Sequence, residues 1–318
     1  MTATLPGPGT RTTARPRTRH DRQFDRIRAR EEAGTFKAPV QGRFFSKFRS
    51  NKLAMIGLVV FSVIVLASIC APLLTTHDPQ QINLRAMLQP PSADHWFGTD
   101  RTGRDVFARV LYGGQVSILV GLGSALMATI IGVLIGIYTA YVGGWVDALA
   151  MRISEILMAF PQIILVLMLV AILGQSLSNL VLIFTLTGWG GIYRMARARM
   201  LSLREEDYVQ ALRAFGLAPA LIAYKHILPN ALGPIMVNTT LSTAAFILQE
   251  AGLSFLGLGV PLSTPTWGNI LNVAQDLRVL ENNWWLWLPV GIVISLFVLS
   301  VNLIGDGLRD ATDPSQQG

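Results

Sequence analysis

The sequence predicts an all-α polytopic membrane protein with six transmembrane helices, and three observations predict it. Half of the residues are hydrophobic (51%) and only 14% are charged, too few charges to coat a soluble globule of 318 residues. Uncharged stretches long enough to cross a bilayer recur along the chain, the longest being the 38 residues between Glu155 and Arg194. Of the 26 Lys and Arg, 13 precede Leu53, so the net charge of +7 belongs to an N-terminal tail and points to membrane lipid rather than to nucleic acid.

Taken in order, residues 1–42 are rich in Arg, Thr and Pro and lack apolar periodicity, which predicts a disordered basic cytoplasmic tail. The tail is too long and too charged for the n-region of a cleaved signal, so the first apolar run is expected to stay as an anchor. Phe44, Phe45 and Phe48 among Lys47, Arg49 and Lys52 read as an amphipathic approach to the inner surface. An N-terminal region, 43–115, then carries span one at 53–76 and a polar extracytoplasmic loop from 77, marked by Pro90-Pro91. The core, 116–306, is expected to hold spans at about 116–141, 153–173, 178–200, 230–250 and 284–304. Gly132 and Gly136 form a GxxxG that predicts close packing of span two, Gly174-Gln175-Ser176 a tight turn, and Trp284 and Trp285 an interface. Residues 307–318 complete the chain as a cytoplasmic tail. Cys70, the single cysteine, sits in an apolar run and reads as packing.

Basic residues set the orientation. With both ends inside, 13 lie in the tail, one in 142–152, six in 194–230 and one after span six, against five in the outer loops. This places the polar insertion 202–229 in the cytoplasm. Its Ser202-Leu203-Arg204-Glu205 reads as a capping box at a helix start. Tyr208, Ala211, Leu212 and Phe215 follow at i, i+3, i+4 and i+7 as one apolar stripe. Gly216 is expected to stop that helix in the left-handed conformation, Pro219 to open a second short helix and Pro229 to close it. Such a helix–turn–helix is too short for a core of its own and is expected to dock on something else.

Several chemistries are missing. There is no G-x-x-x-x-G-K-[ST] phosphate loop, so ATP is not handled by this chain in the P-loop manner. His20, His77, His95 and His226 all fall outside the predicted spans, which sets aside a membrane-embedded zinc site or Ser–His dyad, and no catalytic or metal-ligating residue is assigned. Gly252-Leu253-Ser254-Phe255-Leu256 lacks the second Gly of a nucleophile elbow. Glu155 and Glu250 lie at predicted span ends, where a capped, solvated carboxylate is the expectation; Asp306, between Gly305 and Gly307, is read the same way.

Gln210-Ala211-Leu212, Gly216 and Leu228-Pro229 resemble the EAA loop of type I ABC importer permeases, with Gln210 where Glu is usual, Leu212 for Ala, and His226 where Ile is common. Asn51-Lys52-Leu53-Ala54, Phe97-Gly98-Thr99-Asp100 with Gly103-Arg104-Asp105, the run from Glu250 to Gly257, and Gly305-Asp306-Gly307-Leu308-Arg309-Asp310 look like the second permease subunit of dipeptide/oligopeptide/nickel importers. The resemblance covers the chain from about residue 44 to 314 and implies a multi-pass protein of the bacterial plasma (inner) membrane.

The resemblance further implies a homologous second permease as heterodimer partner, two ATP-binding subunits that hold the ATP and Mg, and an extracytoplasmic solute-binding protein. The chain itself is then no enzyme and needs no cofactor. Tyr208, Ala211, Leu212 and Phe215 would anchor an ATPase subunit, Gly216 would allow the turn, and Gln210, Leu228 and Pro229 would complete the coupling loop. For Asp100, Arg104 and Asp105 two readings stand: a contact for the binding protein, or a self-satisfied turn ahead of span two. A stand-alone secondary carrier or channel is the alternative function, although it lacks a mid-span coupling acid or a detectable inverted repeat. A DNA-binding helix–turn–helix fails because the insertion is not markedly basic and is tethered at both ends.

Overall fold

The computed structural model describes residues 41–312, so the tail expected over 1–42 lies outside the described residues except for Gln41 and Gly42. Those two correct the expectation, since they begin a helix, α1 (Gln41–Ser50). The described residues form helices and loops without a strand. In order, α2 is Lys52–Ile69, α3 Val106–Ile118, α4 Ser124–Val142, α5 Gly144–Ala159, α6 Gln162–Leu173, α7 Leu177–Arg204, α8 Asp207–Ala214, α9 Leu228–Phe255, α10 Trp267–Leu271 and α11 Leu288–Thr312.

Local chemistry explains most boundaries. Asn51 caps α2 by accepting from the Ala54 N–H at 3.1 Å, and its amide reaches Asp310 at the far end of α11. Asp105 caps α3 and Ser176 caps α7 in the same way. Span one, expected to run to 76, ends its main helix at Ile69; one further turn, Ala71–Leu74, follows Cys70. Span two begins ten residues before its expected start, because the polar stretch before Val116 is already helical from Val106, and a π-type widening at Leu119–Gly123 joins α3 to α4. Span three is not one helix: Phe160 is extended, Pro161 cannot continue the helix, and α5 and α6 meet at a bend of 92°.

The capping-box reading of Ser202–Glu205 is also corrected, because Ser202 to Arg204 are the last residues of α7, whose Met200 is buried in the core with Leu201 and Leu203 packed against it. Pro229 closes nothing. The backbone runs from Pro219–Leu221 through a second π-type widening, Ile222–Ile227, directly into α9, where Pro229 sits in the first turn, immediately after the widened stretch. Span five is therefore longer than 230–250, and span six starts with a tight turn at Trp284–Leu286 and continues to Thr312, into the first half of the expected C-terminal tail.

Among the described residues, four helices or joined helices are long and apolar enough to cross a membrane: Lys52–Ile69, Val106–Val142, Ile222–Phe255 and Trp284–Thr312; the bent α5–α6 pair makes a fifth if counted as one crossing. The expected span four, α7, is 28 residues long but carries Arg194, Arg197, Arg199 and Arg204 in its second half. It is nevertheless central to the packing. A methyl placed on Gly132 would lie 2.8 Å from the Trp189 carbonyl, and one on Gly136 would lie 2.9 Å from the Tyr193 carbonyl, so the GxxxG seats α4 directly on the backbone of α7.

Two apolar cores result. One joins α4, α6, α7, α8 and one side of α9, from Ala231 to Leu253, around Ile183, Phe184, Tyr193 and Ile227, with Phe184 stacked on Phe246 at 5.2 Å. The other joins α3, α10, α11 and the second half of α9 around Ile247, Trp267 and Phe297, with α2 packed against it through Phe61 and Ile64. Trp267 is wholly enclosed and donates its indole N–H to the Val110 carbonyl at 3.0 Å. Helix α9 is the element the two cores share.

Candidate functional site

Helix α8 is eight residues long, far below the length that holds a helix in water by propensity alone, so neighbours must fix it. Val209 does so. Its side chain is completely buried in the first core, and Leu212, three residues on, is half-buried against the same core. The C-terminus of α8 is closed by a Schellman pair: the Leu217 N–H reaches the Leu212 carbonyl at 3.3 Å and the Gly216 N–H the Arg213 carbonyl at 2.9 Å. Gly216 has φ +76°, the left-handed conformation the sequence predicts, and nothing lies within 4 Å of where a β-carbon would be. Only backbone conformation constrains that position.

The apolar stripe therefore divides. Leu212 turns inward with Val209, the anchor that the i, i+3, i+4, i+7 reading passed over, while Tyr208, Ala211 and Phe215 are exposed, Phe215 to 81%. Gln210 is exposed and donates from its amide to the Glu205 carbonyl at 3.2 Å. Leu228 packs half-buried at the start of α9, and Pro229 beside it is exposed. The exposed face is joined to α9 at one point: the Asn230 side-chain amide donates to the Tyr208 hydroxyl at 3.2 Å and to the His226 carbonyl at 3.0 Å. The arrangement is a short helix with an apolar outer face, braced against the base of the shared helix.

At the other end of α9 is a buried polar clasp. Glu250, expected to be solvated at a span end, is fully enclosed, which corrects that reading. Ser254 donates to one of its carboxyl oxygens and Ser117 of α3 to the other, each at 2.8 Å, and the Ser117 oxygen accepts from the Trp267 N–H at 3.1 Å. Among the described residues no Lys, Arg or His pairs with it. The clasp fastens α9 to α3 and α10. Glu155, by contrast, is exposed and paired with Arg152 at 2.7 Å, and Asp306 is exposed.

The structure brings Asp100, Arg104 and Asp105 into one loop before α3. Asp100 is buried and accepts from the Thr102 N–H and hydroxyl, both at 2.8 Å, from the Arg104 N–H at 3.0 Å and from the Arg104 guanidinium at 2.7 Å. Burial alone would raise its pKa, but the Arg104 N–H, the Thr102 hydroxyl and the Arg104 charge together hold it below the ordinary 3.8. Asp105 gives one oxygen to the Ala108 N–H at 2.6 Å and the other to His95 Nδ1 at 2.8 Å. A second ion pair that sequence reading did not single out, Asp147 of α5 with Arg197 of α7, is bidentate at 2.6 and 2.5 Å and ties the bent pair to the first core. Its partners are fifty residues apart, beyond any local pattern.

The chain as a whole is similar to known proteins. Residues 132–317 match the family model described as binding-protein-dependent transport system inner membrane component, and residues 42–91 match the N-terminal TM domain of oligopeptide transport permease C. The dipeptide transport system permease protein DppC of Alkalihalophilus pseudofirmus is 42% identical over 273 residues, covering 86% of this chain and 89% of that protein. The oligopeptide transport system permease protein OppC of Bacillus subtilis is 40% identical over 269 residues, covering 84% and 87%. Among solved structures, inward-facing MetNI methionine ABC transporter matches with a TM-score of 0.51 at 19% identity over 64% of this chain and 96% of that chain, a likeness of fold.

Proposed function

The chain belongs to the binding-protein-dependent transport system inner membrane components, the ABC transporter permeases, and from that premise we propose that it is one permease subunit of an ATP-driven importer for peptides. The names of its relatives, dipeptide and oligopeptide permeases, support peptides over nickel-type solutes as cargo. The observation that carries the coupling role is the outer face of α8: Tyr208, Ala211 and Phe215 are left apolar and exposed on a helix that Val209 and Gly216 hold rigidly in place. Helix-in-groove recognition uses such a face.

In this reading the chain supplies half of the translocation pathway and a homologous permease the other half. Six crossings, with α7 as the one shielded by its neighbours, leave both termini in the cytoplasm. Two ATPase subunits bind the ATP and Mg, and one of them receives α8 in a groove. The loop containing Asp100, Arg104 and Asp105 faces an extracytoplasmic solute-binding protein. Asp100 spends its acceptors internally, so the loop meets that partner as a preformed shape rather than as free charges.

The test is to purify the tagged chain from its own membranes in mild detergent and identify the co-purifying proteins by mass spectrometry. A second permease, P-loop ATPases and a solute-binding protein are expected, with peptide-stimulated ATP hydrolysis after reconstitution. Recovery of the chain alone, transporting in vesicles without ATP, would overturn the importer in favour of a secondary carrier.

A further inference from the structure

In the loop between α2 and α3, three side chains with metal-binding chemistry converge. The rings of His77 and His95 lie 4.9 Å apart, His95 Nδ1 is 2.8 Å from an Asp105 carboxylate oxygen, and one donor atom from each of the three falls within 4.8 Å of the others. Both histidines are half-buried and the carboxylate is enclosed. They come from three separate places in the sequence: the start of the loop, its middle, and the cap of α3.

The charges around the cluster are uneven. Asp105 is a buried carboxylate, yet the two nearby guanidinium groups, Arg104 and Arg109, are both directed at Asp100. Among the described residues, the one basic partner of Asp105 is the His95 ring. A buried carboxylate without a firm counter-charge is costly, and an ion held between it and two imidazoles would supply that charge. Beside the cluster, His77 and Asp78 help to line a cleft of about 740 Å³ with Thr75, Gln80 and Gln115, which leaves a path for an ion and for a fourth ligand such as water.

We propose that His77, His95 and Asp105 form a binding site for a divalent transition-metal ion of the zinc class, with its remaining coordination position open to the cleft. Two imidazoles and one carboxylate are a donor set for zinc-like ions and a poor one for Mg²⁺ or Ca²⁺, which take oxygen ligands. With metal–ligand bonds of about 2.0–2.2 Å, tetrahedral ligands stand roughly 3.4 Å apart; the His95–Asp105 pair, at 2.8 Å, has to open by about half an ångström and separations near 4.8 Å have to close by about an ångström or slightly more, both within reach of side-chain rotation. Asp105 also caps α3. A bound ion would thus pin the whole loop to the start of that helix.

The full-length chain, carrying no polyhistidine tag and reconstituted in lipid nanodiscs, is stripped with chelator and titrated with Zn²⁺ by calorimetry, with Co²⁺ as a spectroscopic substitute. One ion per chain is expected, together with the visible bands of a tetrahedral Co²⁺ complex. His77→Ala and His95→Ala should each weaken binding by about a hundredfold or more, while His226→Ala leaves it unchanged. His77→Gln serves as a second, milder variant should His77→Ala fail to fold. No stoichiometric Zn²⁺ in the unaltered chain, or Zn²⁺ bound equally well by the His77 and His95 variants, would overturn the site and leave His95–Asp105 as a hydrogen bond within the loop. Neither readout depends on transport.

Discussion

Replacing Phe215 by Ala separates the two surfaces of α8. The ring is 81% exposed, so truncation removes almost nothing from the folded chain. An enclosed aromatic buries roughly 150–250 Å². Docking would therefore hide on the order of 150 Å² of new ring surface, about 4 kcal/mol at roughly 25 cal/mol per Å² as an upper figure. Ordering costs reduce it to about 2–4 kcal/mol, a loss of roughly thirty- to a thousandfold in ATPase-subunit affinity. Val209→Ala is the counterpart. It removes two methyl groups from a site with no exposure and should lower chain stability by about 2 kcal/mol. The assay pairs thermal melting of the isolated chain with titration of purified ATPase subunits against it in nanodiscs. Phe215→Ala should keep the melting temperature and lose the ATPase; Val209→Ala should lower the melting temperature first. A Phe215 variant that binds the ATPase subunits as tightly as the unaltered chain would refute the docking face.

Gly216→Val should cost about 1–2 kcal/mol or more through its positive φ alone, since no atom stands in the way, and should let ATP hydrolysis continue while uptake falls; Gly216→Asn, which tolerates that conformation, should retain coupled uptake in the same proteoliposomes. Gly136→Leu pushes against the backbone of α7 rather than against a movable side chain, and should lower the melting temperature by an amount equivalent to about 1–3 kcal/mol; an unchanged melt would mean that α4 and α7 are not in contact there. The Asp100 carboxylate is held below its ordinary 3.8, so its ionised form stabilises the fold fully above that value, and the contribution is lost as pH falls through the lower folded value. The melting-temperature gap between the unaltered chain and Asp100→Asn should hence be constant at neutral and mildly acidic pH and close only below 3.8.

What could be read in the sequence was local or periodic. Gly132 and Gly136 announced the α4–α7 approach because a four-residue spacing lies on one helix face whatever its partner, and Gly216 announced a left-handed stop because few other residues take that conformation cheaply. Pro161 carried a legible break signal, but the surrounding uncharged run has no period that distinguishes one long helix from two helices at a right angle. The capping pattern at Ser202 was genuine in composition and void in context, because the tertiary burial of Met200 and its neighbours carries α7 onward to Arg204. Val209 was passed over because α8 has two overlapping apolar faces that share Leu212, and only the fold decides which one is inward. Glu250 was read as solvated and is enclosed. Its partner Ser117 is 133 residues away, and a carboxylate in a Gly-, Ser- and Leu-rich stretch looks the same solvated or enclosed.

The uninterrupted run from Pro219 to Phe255 is a rod of about 55 Å at roughly 1.5 Å per residue. Asn230 meets Tyr208 near one end and Glu250 grips Ser117 near the other. A rod of that kind transmits torque as well as thrust, and its weak places lie along its own length: the widened turn at Ile222–Ile227, and Pro234, which removes a backbone hydrogen bond; the matching widening at Leu119–Gly123 lies on the neighbouring α3–α4, just beyond the clasp. Twist entering at Tyr208 would be taken up first by the wide turn beside it, and what reached Glu250 would pass through Ser117 to the other, so the two wide turns would act as springs on two shafts joined by a single clasp.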